Sequence, residues 1–282
     1  MARILVTGGA GFIGSNLCEA LIKEGHIVHS LDNYSTGSIE NHVDGVVYFQ
    51  GDTAHISKLS DQAYDMIYHL GEYSRVEQSF NEFDKVWNFN IAGTKNVLEF
   101  AKMKQAKLIY AGSSTKFGDN GSNSSPYAWS KASNTQLVMN YSEWYGLDYA
   151  ITYFYNAYGK REISDGQYAT LIAKFKNRVK SGLPLEVVLP GTQQRNFTHI
   201  DDIVSGLIAV GFRGRGDGYG IGSPETFSVA EVAEMFKADV KFLEPRRGNR
   251  MTAPVISDKT RELGWEAKNH LRDHIAEFLA TL

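Results

Sequence analysis

The sequence predicts an α/β protein, a doubly wound parallel sheet followed by a smaller mixed α/β lobe. Three observations predict it. Short β-branched, apolar runs alternate with helix-period segments to about residue 155. Glycines cluster where the first strand turns into the first helix. Polar residues suited to chemistry fall at strand carboxyl ends, where an open α/β sheet leaves a ligand crevice. The expected division is residues 1–159 for the sheet domain and 160–282 for the second lobe, with segments around 185–210 returning to the first.

The bulk composition sets the class. A chain of 282 residues can bury a large core, and 43% hydrophobic with 22% charged residues is ordinary for an enzyme. A net charge of -3 argues against a nucleic-acid partner. Cys18 is the single cysteine, so no intrachain disulfide can form, and the sequence has no zinc-ligand pattern; no metal is expected. The amino terminus enters a strand without the charged and apolar regions of a secretory signal. No apolar run approaches the ~20 residues that span a bilayer. The expectation is a cytoplasmic protein with no membrane partner.

Arg3-Ile4-Leu5-Val6 reads as the first strand. Thr7-Gly8-Gly9-Ala10-Gly11-Phe12-Ile13-Gly14 follows, and Leu17, Ala20, Leu21 and Ile22 then recur at helical spacing. Glycines between strand and helix allow a tight turn and close backbone approach to a pyrophosphate, with the helix amino end facing the anion. This strand–glycine–helix context marks a Rossmann dinucleotide site rather than a flexible turn. The second strand, Ile27–Leu31, ends at Asp32, an acid placed to accept hydrogen bonds from the adenosine ribose. No Arg or Lys lies between Lys23 and Lys58, so a 2'-phosphate would meet Asp32 without a nearby sequence cation. NAD is the expected cofactor.

Val46 to Asp52 reads as the third strand, with Asp52 at its end beside the adenine, and Asp65–Leu70 as the fourth, ending at Gly71. His69 in that strand is expected to pack rather than to catalyse. A long helical pattern follows through Val86, Phe89, Val97, Leu98 and Ala101. Asn90, polar among apolar neighbours, is expected to bond a loop or the cofactor. Lys107–Ala111 is the fifth strand, Tyr149–Tyr155 the sixth. Beyond Gly159 come a helix around Tyr168–Lys180, a strand at Leu185–Val188 and a helix over Ile203–Phe212 capped by Asp201-Asp202. A glycine-rich turn into a short strand spans 214–222, a Ser228-capped helix covers Val229–Phe236, and a last helix covers Leu271–Leu282.

Between strands five and six, Ser125 can cap a helix and Pro126 suits its first turn, so Tyr127 and Lys131 share a face one turn apart. A free phenol titrates near ~10 and is almost wholly protonated at neutral pH. One ammonium at ~4 Å, at an effective dielectric of ~20, stabilises a phenolate by an energy of order 4 kcal/mol. The pair can therefore serve as a general base.

With these residues in place, the sequence resembles the extended short-chain dehydrogenase/reductase superfamily, in its NAD-dependent nucleotide-sugar epimerase/dehydratase branch, over nearly the whole chain. The Thr7–Gly14 loop matches the family's cofactor loop, Asp32 its NAD-selecting acid, and Tyr127 with Lys131 its catalytic pair. The family's strand-five hydroxyl falls on Ser113, counting back from Phe117-Gly118. Tyr155–Gly159 is similar to the family's Phe-Asn-x-Tyr-Gly, and Gln194–Asp202 to its Arg-Asp-Phe-x-x-Val-Asp-Asp stretch. Arg246-Arg247-Gly248-Asn249 resembles a later Arg-Pro-Gly-Asp.

The resemblance implies a set of contacts. Cofactor contacts are implied at Gly8, Gly11, Phe12, Ile13 and Gly14, at Asp32 and Asn33, and at Asp52 and Thr53. Others fall on Leu70, Gly71, Asn90, Ala111 and Phe154, with Tyr127 and Lys131 at the nicotinamide ribose. Ser113, Ser114, Thr115 and Asn156 would meet the sugar nucleotide; Arg195 with Arg246 or Arg247 would neutralise its diphosphate. A homodimer through the two long helices is also implied, with Trp87, Trp144 and Met139 as candidates for its face.

The reactions of this branch begin alike: the phenolate accepts a proton from the sugar C4 hydroxyl as hydride leaves C4 for NAD. In the dehydratases an Asp-Glu pair follows the strand-five hydroxyl and eliminates water across C5 and C6. Here Ser114 and Thr115 stand instead, and neither can act as a carboxyl acid or base. Return of hydride to the other face of a rotated 4-keto sugar needs no further ionisable group, so a 4-epimerase is the economical expectation. A reductase or dehydrogenase of a nucleotide-linked sugar stays open, as does a non-catalytic NAD-binding protein, although a sensor needs none of Ser113, Tyr127 and Lys131. The chain departs from the family pattern at several positions. Gly71-Glu72 replaces Ala-Ala, Lys116 a valine, Tyr153 an arginine and Asn196 an aspartate, and the loop from Asp119 to Ser125 is short. Glu72 or Tyr73 is a candidate sugar contact.

Overall fold

The computed structural model describes residues 1–59, 61–117, 124–245, 251–252 and 254–282. Its centre is a seven-stranded sheet built from β1 (Arg3–Thr7), β2 (Ile27–Asp32), β3 (Val47–Gln50), β4 (Met66–His69), β5 (Lys107–Ser113), β6 (Tyr149–Phe154) and β11 (Gly216–Ile221). The order is β11-β6-β5-β4-β1-β2-β3, and every neighbouring pair is parallel. The order reverses between β1 and β4, and the crevice opens at that switch point, beyond the strand carboxyl ends. This is the predicted doubly wound parallel sheet.

Parallel strands buried on both faces are nearly continuous apolar runs, and their period of two sends alternate residues to opposite layers. Ile4 and Val6 of β1 face Leu17, Cys18 and Leu21 of α1 (Phe12–Lys23), together with Ile203 and Leu207 of α6 (Ile200–Arg213). Leu5, between them, faces the other layer. There Val97 and Leu98 of α3 (Gly93–Lys104) and Val138 and Tyr141 of α4 (Pro126–Tyr145) close the core. α3 continues from a short helix, α2 (Phe83–Lys85), through a π-helical stretch, Val86–Ala92. The long helical pattern therefore loosens before residue 93.

The second lobe has its own core around Tyr158, Phe175, Val187, Phe227 and Phe236. Its elements are α5 (Leu171–Lys180), α7 (Val229–Met235), α9 (Leu271–Leu279) and three two-stranded sheets. The sheets pair β7 (Ala157–Tyr158) with β10 (Thr198–His199), β8 (Leu185–Val188) with β13 (Val240–Leu243), and β9 (Gln194–Asn196) with β12 (Thr226–Ser228). The short helix α8 (Asp258–Arg261) lies against β11, which itself returns to the large sheet beside β6. A Cβ on Gly220 in that strand would lie 1.8 Å from the Ile256 carbonyl oxygen, so glycine permits the close packing of the returning chain.

The helix caps follow the sequence reading in two cases and correct it in a third. Ser125 accepts from the Ala128 N–H at 3.1 Å, with Pro126 in the first turn of α4. Ser228 and Glu231 form a reciprocal capping box on α7. α6 is capped by His199, not by Asp201-Asp202. Asp202 turns inward and accepts from the Lys268 and Asn269 N–H groups at 3.1 and 3.0 Å, tying down the carboxyl-terminal segment. Among the described residues no helix is long and apolar enough to cross a membrane.

Candidate active site

A cleft of about 990 Å³ runs along the carboxyl ends of the strands and into the second lobe. The glycine turn forms one wall. Gly8 has φ of +76°, and a Cβ there would meet Gly71 Cα at 2.9 Å; a Cβ on Gly14 would lie 2.1 Å from the Gly8 carbonyl oxygen. No side chain caps α1, so the first N–H groups of the helix, which have no intrahelical partner, face the cleft. That is a cradle for a pyrophosphate, and the residues present fit NAD.

Gly8, Gly11, Phe12, Ile13, Gly14, Asp32, Asn33, Thr53, Leu70, Gly71, Ala111 and Phe154 all line this cleft. Asp32, only 6% exposed, accepts from the Ala10 and Tyr34 N–H groups at 2.9 and 2.8 Å, one on each oxygen. Asp52 and Asn90 stand behind the lining. Asp52 accepts from Asn33 Nδ2 at 3.1 Å, so it steadies a cleft residue. Asn90 is fully buried and brackets Tyr73, accepting from its N–H at 2.7 Å and donating to its carbonyl oxygen at 3.1 Å. Of the two roles expected for Asn90, the geometry places it on the loop.

The predicted catalytic group comes together at the other wall. Tyr127 donates to Ser113 Oγ at 3.2 Å, and Ser113 Oγ lies 2.9 Å from Thr115 Oγ1. Ser113, Ser114, Thr115, Tyr127 and Lys131 all line the cleft, as do Asn156 and Arg195 farther along it. Asn156 donates to the Asn196 carbonyl oxygen at 2.9 Å. Arg195 rests on the Gln194 and Met251 carbonyl oxygens. Arg246 and Arg247 lie outside the described residues, as does most of the loop from Asp119.

Lys131 is buried and donates to the Ala111 carbonyl oxygen and to the Glu72 carboxylate. Glu72 is fully engaged: its other oxygen takes Thr94 Oγ1 at 2.9 Å, Asn134 Nδ2 at 3.0 Å and the Tyr110 hydroxyl at 3.2 Å. Glu72 thus lines the cleft with both its oxygens held, one of them by Lys131. Tyr73 also lines the cleft; its hydroxyl donates to Glu82 at 2.7 Å, and burial and that carboxylate push its phenol up. Tyr153, where the family has arginine, is buried and bonds Asp217 at 2.7 Å.

His69 is packed, as expected. It is fully buried between Thr7 Oγ1 at 2.8 Å and Thr94 Oγ1 at 3.0 Å, and desolvation pulls its imidazole down to about 4. Sequence reasoning missed Arg75, which lines the cleft from the loop after β4 and donates to the Tyr168 carbonyl oxygen. Its place at a strand carboxyl end was the available signal; its contact with Tyr168 was not legible.

The NAD dependent epimerase/dehydratase family model matches residues 4–222. The chain is 32% identical over 298 residues to UDP-glucuronic acid decarboxylase 6 of Arabidopsis thaliana, covering 96% of this chain and 86% of that one. It is 32% identical over 254 residues to the UDP-N-acetyl-alpha-D-glucosaminuronate decarboxylase of Bacillus cytotoxicus, covering 82% of this chain and 78% of that one. Among solved structures it superposes on the UDP-glucose 4-epimerase of Thermotoga maritima with UDP-glucose at a TM-score of 0.93 and 25% identity, covering 99% and 97% of the two chains. With the parallel sheet, the glycine cradle and the Ser113–Tyr127–Lys131 constellation already in place, the match makes this chain a member of the NAD-dependent epimerase/dehydratase family.

Proposed function

We propose that the protein is a nucleotide-sugar 4-epimerase working through a transient 4-keto sugar. The observation that carries this reading is the hydroxyl cluster of Ser113, Thr115 and Tyr127, with Ser114 and Thr115 where a dehydratase has its acid and base. Glu72 cannot stand in for them, because both its oxygens are held. The glycine turn and Asp32 would hold NAD, which would supply the hydride acceptor and donor for sugar C4. Tyr127 takes the C4 hydroxyl proton and returns it, Ser113 Oγ holds the same oxygen, and Lys131, one helical turn from Tyr127, lines the same cleft. The balance is closed: C4 gives up a hydride and its hydroxyl oxygen a proton, leaving a ketone, and the hydride then returns to the opposite face of C4 and the proton to the oxygen.

The names of the two decarboxylase relatives support a second reading. Oxidation at C4 of a uronic acid sets a ketone β to the C6 carboxylate; CO2 then leaves with the C5–C6 electron pair passing into an enolate, C5 takes up a proton, and the hydride returns to C4 to give a pentose. Incubation with a panel of nucleotide sugars, read by NMR, separates the two: a 4-epimer without net NADH supports epimerisation, and a pentose product rejects it. Steady NADH formation or consumption rejects both in favour of a dehydrogenase or reductase.

We assign the substrate's diphosphate to Arg195, and its sugar to the interface of the sheet domain with residues 160–282. The single, buried Cys18 suits a reducing cytoplasm. The homodimer stays part of this reading, with Trp87, Trp129 and Trp144 exposed on the helical layer; Met139 is instead partly buried against the core. Sedimentation at the mass of one chain would remove the dimer.

A further inference from the structure

Arg75 is a cleft cation that the proposed chemistry leaves unused. It stands in the loop that follows β4, lining the cleft that Tyr127 also lines. Nη1 donates to the Ser74 carbonyl oxygen at 3.0 Å and to Ser74 Oγ at 3.1 Å, and Nη2 donates to the Tyr168 carbonyl oxygen. The guanidinium carbon lies 5.8 Å from the Tyr168 ring centroid. Nε is buried with no hydrogen-bond partner. Every acceptor it holds is neutral, and no carboxylate of the described residues pairs with it. Glu82, an acid near this corner, is taken by Tyr73, Tyr168 and Lys85.

A partly buried guanidinium whose Nε is sealed from water without a partner, and which has no counter-ion, is unfavourable, and such groups in proteins are paired or bind an anion. Burial pulls the Arg75 guanidinium below its ordinary range, and the side chains that oppose this are those of Tyr127, Tyr73 and Tyr168, none of them a carboxylate. Asn90, which brackets Tyr73, donates to Ser130 Oγ at 2.9 Å, and Ser130 Oγ donates to the Tyr127 carbonyl oxygen at 2.8 Å, so the loop that carries Arg75 is tied to the turn that carries Tyr127. Arg75 thus lines the reacting end of the cleft, whereas the substrate's diphosphate is assigned to Arg195. An anion that meets Arg75 is therefore carried by the sugar ring.

We propose that Arg75 is a specificity residue for a carboxylate on the sugar, so that the substrate class is a nucleotide-linked uronic acid. This rests on the reading that places the sugar C4 at Tyr127. On a hexuronic acid the carboxylate hangs from C5, the ring carbon next to C4, within reach of a cation at this end. The flat guanidinium fork matches two carboxylate oxygens, a match that a neutral hydroxymethyl group lacks.

The test is calorimetric binding of UDP-glucuronic acid and UDP-glucose to the NAD-loaded protein, to Arg75→Gln and to Arg75→Lys. Comparing two sugars on one nucleotide removes the base and diphosphate from the ratio. The parent protein is expected to bind the uronate at least about tenfold tighter than the neutral sugar, the scale of one charge-assisted pair. Arg75→Gln is expected to remove that preference while holding UDP-glucose within about threefold, and Arg75→Lys to retain part of it. Equal affinities in the parent protein overturn the proposal without any variant. A preference that survives Arg75→Gln, or a loss shared equally by both sugars, overturns it too. Binding with the expected preference but no C4 turnover leaves this assignment standing and removes the epimerase reading instead.

Discussion

Glu72 and Lys131, 59 residues apart in the chain, form an ion pair in which the two side chains are only 3% and 6% exposed. The carboxylate thus occupies a position where the wider family is apolar, and it holds the ammonium that stands one helical turn from Tyr127. Removing one partner of a buried pair strands the other charge. Glu72→Gln keeps the side-chain shape and is expected to lower the unfolding free energy by about 3 kcal/mol. Urea denaturation measures it, and a loss below about 0.5 kcal/mol contradicts a net role for this pair.

Tyr127→Phe removes the one hydroxyl that the account asks to move a proton. The variant is expected to fold and to retain NAD, because the glycine cradle and Asp32 are untouched, while turnover of the nucleotide sugar falls by at least about a hundredfold. Steady-state kinetics with cofactor content determined on the same sample is the check. Activity within about tenfold of the parent takes Tyr127 out of the proton-transfer role.

Gly14→Ala places a Cβ 2.1 Å from the Gly8 carbonyl oxygen. Neither backbone can yield without spoiling the turn that faces the first N–H groups of α1. The expected outcome is NAD affinity reduced by about a hundredfold or more, read by fluorescence titration. Unchanged affinity removes the cradle from the cofactor site.

The buried imidazole of His69 gives a pH dependence whose sign is fixed. Its folded value of about 4 lies below the ordinary 6.5, so the unfolded chain takes up the proton first. Its contribution to stability is complete above pH 6.5 and is lost as pH falls towards about 4, amounting to about 3 kcal/mol. His69→Gln, which can still bond Thr7 and Thr94, is expected to flatten the stability-against-pH curve in that window. Parallel curves for parent and variant would contradict the assignment.

Local chemistry made much of the fold legible. The apolar runs that became β1, β2, β4, β5 and β6 have a pattern of their own, and Ser125-Pro126 and Ser228 announce helices within four residues. β11 was legible only as a short strand after a turn, since its alternating glycines carry no hydrophobic signal and its partner is set by tertiary contact. The cap of α6 went to His199 because Asp202 has partners 66 and 67 residues away, a competition no local rule contains. At the cleft, the residues that a local pattern marks in the sequence do line it: the glycine turn, Asp32 and Ser113 at strand ends, and Tyr127 in the first turn of α4. Those defined by what crosses the sheet carry no such mark. Glu72 on Lys131 and Arg75 on Tyr168 join loops far apart in sequence, and only the folded chain brings them together.

The most direct measurement follows the hydrogen at C4. A nucleotide sugar carrying deuterium at C4 is incubated with the NAD-loaded protein, and the product is read by NMR and mass spectrometry. The account predicts full retention of deuterium at C4 with inverted configuration and no accumulation of NADH. Deuterium washed out to solvent, or unconverted sugar in the presence of bound NAD, would contradict it.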